Sequence, residues 1–372
     1  MEEKKLDLNS IIGFVLIFII LAYMLWQKSP TPEEVQAQEK AKQEQIDAET
    51  AKAQQAETKV TTTDDFSTTS VSDSLQLLQL KNKLGAFAFS AENQTDVETV
   101  LESDLLALKF SNKGGYLSEV KLKQFVDYDS LPIYIIKDNN ALLNINFGTT
   151  DSRILNTKDL YFKPTITKNA DVTIVSMKLK ASESQFLEYR YELKDGDYMM
   201  DFTVRSQGLS TIINSSQAIN LDWNLKGYRH AKSMSYENRY TDIHYDYENG
   251  KDDYTGARDS EETIEDVSWI GYKQHFFSSV LLTDTPFKSV RLKSKNLVND
   301  EAIDTVYTKS FATTIPLELQ GGEFNNSMNL YYGPSDFKIL NAYDRNLDEL
   351  LTLGWGIFGW IITVSYKHLR AH

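Results

Sequence analysis

The chain has 372 residues, 39 Lys plus Arg against 53 Asp plus Glu, a formal net charge of -14 and no cysteine. That acidity argues against a nucleic-acid partner, which needs a basic face. The missing thiols exclude disulfides, thiolate nucleophiles and cysteine-ligated metals. Aromatic residues make up 12% of the chain, and with abundant Val, Ile and Thr they lean the composition toward strands.

The first element is an uncharged run, Ile11 to Trp26, with Tyr23 and Trp26 near its carboxyl end. At 1.5 Å per residue it falls slightly short of a bilayer core, and flanking residues extend it into the headgroup zone. The bulky stretch Trp26-Gln27-Lys28-Ser29-Pro30 lacks the small residues of a signal-peptidase site, so the run reads as an uncleaved anchor. Lys4 and Lys5 precede it and Lys28 follows it. The charge bias is weak, and the short leading tail favours an amino terminus on the cytoplasmic side. The expected organisation is a tail over 1–10, an anchor over 11–27 and a polar tether over 28–95.

Strands are expected from about residue 96 to 335. Leu105 to Phe110 and Leu117 to Phe125 flank the turn Asn112-Lys113-Gly114-Gly115. Val172 to Leu179 alternates, and Phe186 to Leu193 and Tyr198 to Arg205 flank the hairpin signal Asp195-Gly196. Ala218 to Leu225, Phe276 to Leu282, Ser289 to Lys293 and Ser327 to Tyr332 follow. Many short strands with little helix predict a large antiparallel sandwich. Beyond it, Ser335 is expected to cap a short helix reaching Tyr343, and Asn346 or Asp348 to open a second helical run. That second run is apolar nearly all round and carries Trp355, Phe358 and Trp360. With Trp26, these three are the candidate membrane-interface residues.

No GxSxG, Walker loop or HExxH occurs. His230, His244 and His275 are the histidines available for acid–base or metal chemistry, and each reads first as a surface or satisfied residue. Glu261-Glu262 and Asp252-Asp253 read as solvated pairs in polar loops, since a raised carboxylate pKa needs burial or a close like charge. No catalytic, cofactor or metal site is expected. The densest feature, Trp269-Ile270-Gly271-Tyr272-Lys273-Gln274-His275-Phe276-Phe277, reads as a core strand before it reads as a docking surface.

Several of these segments resemble those of a known family. The opening Met1 to Gly13, Ser111 to Gly115, Trp269 to Phe277, Leu330-Tyr331-Tyr332-Gly333-Pro334 and Leu353-Gly354-Trp355-Gly356-Ile357-Phe358 together resemble a YidC-type membrane protein insertase of Bacteroidetes-like bacteria. The resemblance implies a mainly β fold: a periplasmic β-supersandwich, similar to galactose mutarotase-like domains, over 96–335. An amino-terminal membrane helix would precede it, and an amphipathic connection over 336–363 would lead to an insertase core. It implies no covalent chemistry and no cofactor. The implied partners are nascent inner-membrane proteins, Sec translocon components and the lipid bilayer, with no nucleic acid, at the bacterial inner membrane.

Residues 364–372 depart from that family. They form a short basic tail where an apolar helix is expected, so the chain reads as truncated there and without the groove that hydrates client charges. Two other readings remain open at this stage. One is a carbohydrate-active, mutarotase-like enzyme using the histidines; the other is a single-anchor envelope adaptor.

Overall fold

A computed structural model describes residues 78–91, 98–256 and 258–351. The run 11–26 and Trp26, Trp355, Phe358 and Trp360 lie outside these residues. Among the described residues, no helix is long and apolar enough to cross a membrane.

Two antiparallel sheets make the domain. A four-stranded sheet runs in sequential order: β1 (Glu98–Glu102), β2 (Leu106–Ser111), β3 (Leu117–Val126) and β4 (Pro132–Ile136). In β2 the side chains alternate, so Leu106, Leu108 and Phe110 all face the core.

The large sheet has thirteen strands. It opens with β5 (Ala141–Gly148), β6 (Ile154–Asn156), β7 (Lys163–Asn169), β8 (Val172–Lys180), β9 (Phe186–Lys194) and β10 (Met199–Gln207). It continues with β11 (Asn220–Tyr228), β12 (Asp242–Tyr247), β13 (Lys251–Tyr254), β14 (Ser260–Lys273), β15 (Phe277–Asn296), β16 (Tyr307–Pro316) and β17 (Asn325–Pro334). Its order is β6-β5-β11-β16-β15-β17-β10-β9-β8-β7, with β14 on β15 and β12 between β14 and β13.

The segments expected as Phe276 to Leu282 and Ser289 to Lys293 are one strand, β15. It pairs with β17 through Leu282 and with β16 from Arg291. Between these spans, the bulge at Thr283 to Pro286 lets one strand serve two neighbours.

Rings join the two layers. Phe110 of the small sheet lies 4.8 Å from Tyr191 of the large one, which stacks on Phe202 at 4.8 Å. Deeper in the large sheet, Trp223 stacks on Tyr272 at 4.0 Å, and the Tyr272 hydroxyl reaches Trp223 O and Thr313 Oγ1. Buried phenols thus keep a polar partner while their rings fill the core.

Residues 78–84 are helical, followed by a 3-10 turn (Gly85–Phe87) and α1 (Ala88–Ala91). This stretch falls within the segment read as tether, yet Phe87 is buried 5.6 Å from Phe147. The packed domain therefore takes in residues before 96. Two aromatics and three leucines over fourteen residues give too short a periodic signal to reveal that.

The Gly114-Gly115 turn is held by backbone geometry. Gly115 has φ +71, and a Cβ there would meet the Phe162 ring at 2.8 Å. Its carbonyl accepts the Tyr191 hydroxyl at 3.0 Å. Gly115→Ala is expected to cost at least about 1–2 kcal/mol from the left-handed backbone alone. A urea midpoint lowered at unchanged slope is the expected reading.

Candidate functional site

The end of the sandwich where β3, β11, β14 and β17 finish gathers most of the residues singled out above. After β11 the chain turns through Arg229 and His230 into α2 (Met234–Arg239), capped by Ser233, whose hydroxyl accepts from Tyr236 N at 3.2 Å. A cleft of about 390 Å³ opens between this turn and the β3–β4 and β4–β5 turns. Tyr134, Lys137, Tyr228, Arg229 and His230 are among its lining residues.

His230 is buried. Its Nε2 lies 3.0 Å from Tyr134 O, which fixes the proton on Nε2 and leaves Nδ1 without a partner. Burial lowers its pKa. His244, on β12, is also buried and stacks on Tyr254 at 5.2 Å. Burial first, and the Lys273 charge second, push it down to about 3. His275 is half-buried against Tyr240 and is lowered for the same two reasons. Of the two readings, surface or satisfied, the surface one does not describe His230 and His244, which strand packing withdraws from water.

His230 and His275 both border Glu237, which accepts the Ala231 and His275 N–H groups, whereas His244 lies on β12 against Tyr254. Among the described residues, no group of three or more His, Asp or Glu could hold a metal ion.

His244 gives a pH prediction. Its folded pKa of about 3 lies below the ordinary 6.5, so the folded state binds fewer protons than the unfolded chain. Its stabilising contribution is complete above about pH 6.5 and drains away as the pH falls toward 3, at up to about 1.4 kcal/mol per pH unit. His244→Phe is expected to flatten the fall of Tm between pH 6.5 and pH 4.5; a fall as steep as in the unchanged chain would refute this.

A buried charge network fastens α2 to the sheet. Glu237 is fully buried, accepts Ala231 N at 2.7 Å and His275 N at 3.3 Å, and has its pKa raised by burial. Lys309 Nζ meets Asp242 Oδ1 at 2.9 Å and Gly256 O at 3.3 Å, all but out of water. Lys273 Nζ bonds Tyr240 O at 3.2 Å, and burial lowers its pKa. Sequence reasoning missed this network, since Lys and Glu read as surface residues until a partner is known.

The Trp269 to Phe277 segment divides. Trp269 through Gln274 and Phe277 are buried, as the core reading expected, while Phe276 is half-exposed. The two acidic pairs lie on strands β13 and β14 rather than in loops, and Glu261 pairs with Arg291 and, at 3.3 Å, with Lys293.

The carboxyl-terminal connection is α3 (Phe337–Ala342), followed by a 3-10 turn (Leu347–Leu350). Its cap is Asp336, not Ser335: Asp336 Oδ1 accepts Lys338 N at 2.8 Å and Ile339 N at 3.2 Å. Ser335 instead seals the strand end, with its N on Phe276 O at 2.7 Å and its Oγ 2.8 Å from Ser278 Oγ. Tyr343 donates to Asp197 at 2.5 Å, Arg345 pairs with Asp284 at 2.9 Å, and Leu350 packs over Gly271. The connection is therefore seated on the sandwich along its whole described length.

Residues 98–364 match the YidC periplasmic domain, which is most of the chain. The chain belongs to the YidC periplasmic domain family. A membrane protein insertase YidC from Parabacteroides distasonis is 32% identical over 372 residues. That alignment takes in 96% of this chain and 57% of the relative, so the chain spans somewhat over half the length of the curated relative it matches. Among solved structures, the periplasmic domain of the Thermotoga maritima YidC is similar, with a TM-score of 0.36, 11% identity and coverage of 69% of this chain and 94% of that one. A galactose mutarotase-like protein from Lactobacillus casei gives a TM-score of 0.39 at 12% identity, covering 64% of this chain and 100% of that one. The four-stranded and thirteen-stranded sheets described above are thus the form that a YidC periplasmic domain takes in this sequence.

Proposed function

We propose that this chain serves membrane protein insertion, with the β-sandwich as the periplasmic module of a YidC-type insertase. What carries the reading is the family match over residues 98–364, together with curated relatives named membrane protein insertase YidC. The run Ile11 to Trp26 would anchor the chain in the inner membrane with its amino terminus in the cytoplasm. The domain boundaries proposed are a tail over 1–10, an anchor over 11–27, a tether from 28 to the packed stretch that begins at residue 78, the domain from there to 335 and a connection over 336–363. Trp355, Phe358 and Trp360 would lie at the lipid interface with Trp26. The partners are nascent inner-membrane proteins, the bilayer and the Sec translocon. No bond is made or broken in this work, so the reading is non-enzymatic. The reading rests on the family match and not on the mutarotase-like fold, since a fold alone does not carry a function.

A hybrid tests this. Residues 1–351 of this chain replace the matching portion of the Parabacteroides distasonis insertase, in cells depleted of their own. Restored growth and restored protease protection of an inner-membrane client are expected. A stable, membrane-inserted hybrid that restores neither, or an isomerase turnover lost on His230→Ala, would overturn the reading.

A further inference from the structure

Most of the large apolar side chains left exposed among the described residues crowd onto one end of the sandwich. Val126 and Leu131, at the β3–β4 turn, are 62% and 59% exposed; Phe276, at the β14–β15 turn, is 51% exposed; Ile303, in the β15–β16 connection, is 76% exposed. Tyr236 of α2 is exposed beside them.

These turns are physically joined. Phe125 meets Phe277 at 5.5 Å, next to Phe276 in sequence. Arg229 links the β15–β16 connection to the β3–β4 turn, with its N on Val306 O at 2.9 Å and its guanidinium on the Tyr128 hydroxyl. The Tyr236 ring lies 5.0 Å from His275, which lies 3.9 Å from Phe276.

An isolated exposed apolar residue needs no explanation, but a contiguous set of this kind marks a contact surface. The course of the chain says what meets it. Ser335 N is bonded to Phe276 O, so the connection through α3 leaves from this end. The sequence that follows Leu351 is apolar and carries Trp355 and Trp360. Rings and aliphatic groups mixed with long cations, here Lys232 and Arg239, are the composition of a surface lying at lipid headgroups.

We propose that this end of the domain rests on the lipid headgroup surface, with Phe276, Leu131, Val126 and Ile303 dipping into it. The inference deepens the proposed function and rests on the membrane anchoring in that reading. Charge is not the driving force. Asp127 and Asp129 in the β3–β4 turn and Asp300 and Glu301 beside Ile303 offset the local cations, so the contact holds on zwitterionic lipid and resists salt.

The absence of cysteine makes the test direct. Phe276→Cys, Leu131→Cys and Ile154→Cys are each labelled with a polarity-sensitive fluorophore in the full chain and reconstituted into phosphatidylcholine vesicles. Ile154 is 69% exposed and lies on β6 at the opposite end of β5, so it is the control. Headgroup-nitroxide lipid is expected to cut emission about twofold at positions 276 and 131, the shallow depth of an interfacial side chain, and to leave position 154 unchanged. Persistence of that contrast at high salt is also expected. Equal quenching at all three positions, or none, overturns the proposal, as does a blue shift at 276 without quenching, which would mean contact with a second copy of the chain. Growth of the hybrid cells reads the proposed function separately. A watery label in complementing cells sinks only this inference, and a quenched label without complementation sinks only the functional reading.

Discussion

Lys309→Ala is expected to destabilise the domain by about 3 kcal/mol or more, because it strands the Asp242 carboxylate in the interior. The side chain of Lys309 is 1% exposed and that of Asp242 10% exposed, so little water can replace the lost partner. Lys273 faces the same carboxylate and offsets part of the loss, which places the effect toward the lower end of the 3–5 kcal/mol range usual for a broken buried pair. The double variant Lys309→Met with Asp242→Leu removes both charges and is expected to recover most of the stability. Urea unfolding of the single and double variants decides. A double variant as unstable as Lys309→Ala would mean that packing, not the uncompensated charge, sets the cost.

Phe110→Ala carries the other large effect, about 3–5 kcal/mol for a fully buried ring. Phe110 comes from the small sheet and touches Tyr191 of the large one, so its loss opens a cavity at the junction of the layers. Phe110→Leu keeps most of the volume and is expected to cost less than half as much. Tyr191→Phe removes only the hydroxyl that reaches Gly115 O, with an expected loss of about 1–3 kcal/mol for the carbonyl left unpaired. If Phe110→Ala costs less than Tyr191→Phe, the ring contact does not join the sheets.

Much of the sandwich could be read from local pattern. The expected strands around Leu117 to Phe125, Val172 to Leu179 and Phe186 to Leu193 appear as β3, β8 and β9 within about a residue, because each alternates cleanly or ends at a turn signal. The Asp195-Gly196 hairpin between β9 and β10 and the Gly114-Gly115 turn are likewise legible, all three glycines having positive φ. Strand β15 was split in expectation because Asp284 and Pro286 break its alternation; continuity comes from β14, β16 and β17, which lie far away in sequence. The small sheet's edge strands β1 and β4 went unread for the same reason. At the candidate site, the histidines could be found by type but not by burial. Lys309 and Asp242 are 67 residues apart, and nothing local marks them as partners. The apolar end exists only because four separate turns converge in space. The candidate interface residues Trp26, Trp355, Phe358 and Trp360 lie outside the described residues, and their role stays a proposal.

We propose that the domain contributes to insertion through its carboxyl-terminal connection, the segment from Asp336 to Tyr343 that is capped by Asp336 and tied to Asp197. The measurement that tests this most directly is growth of insertase-depleted cells on the hybrid carrying one of two changes. One deletes residues 337–342; the other replaces the turns around Glu183 and Ser215, on the opposite end of the sandwich, with Gly and Ser. The helix deletion is expected to abolish growth and client insertion while the turn replacements preserve both, with the two hybrids at equal level in the membrane. Equal tolerance of the two changes would contradict it.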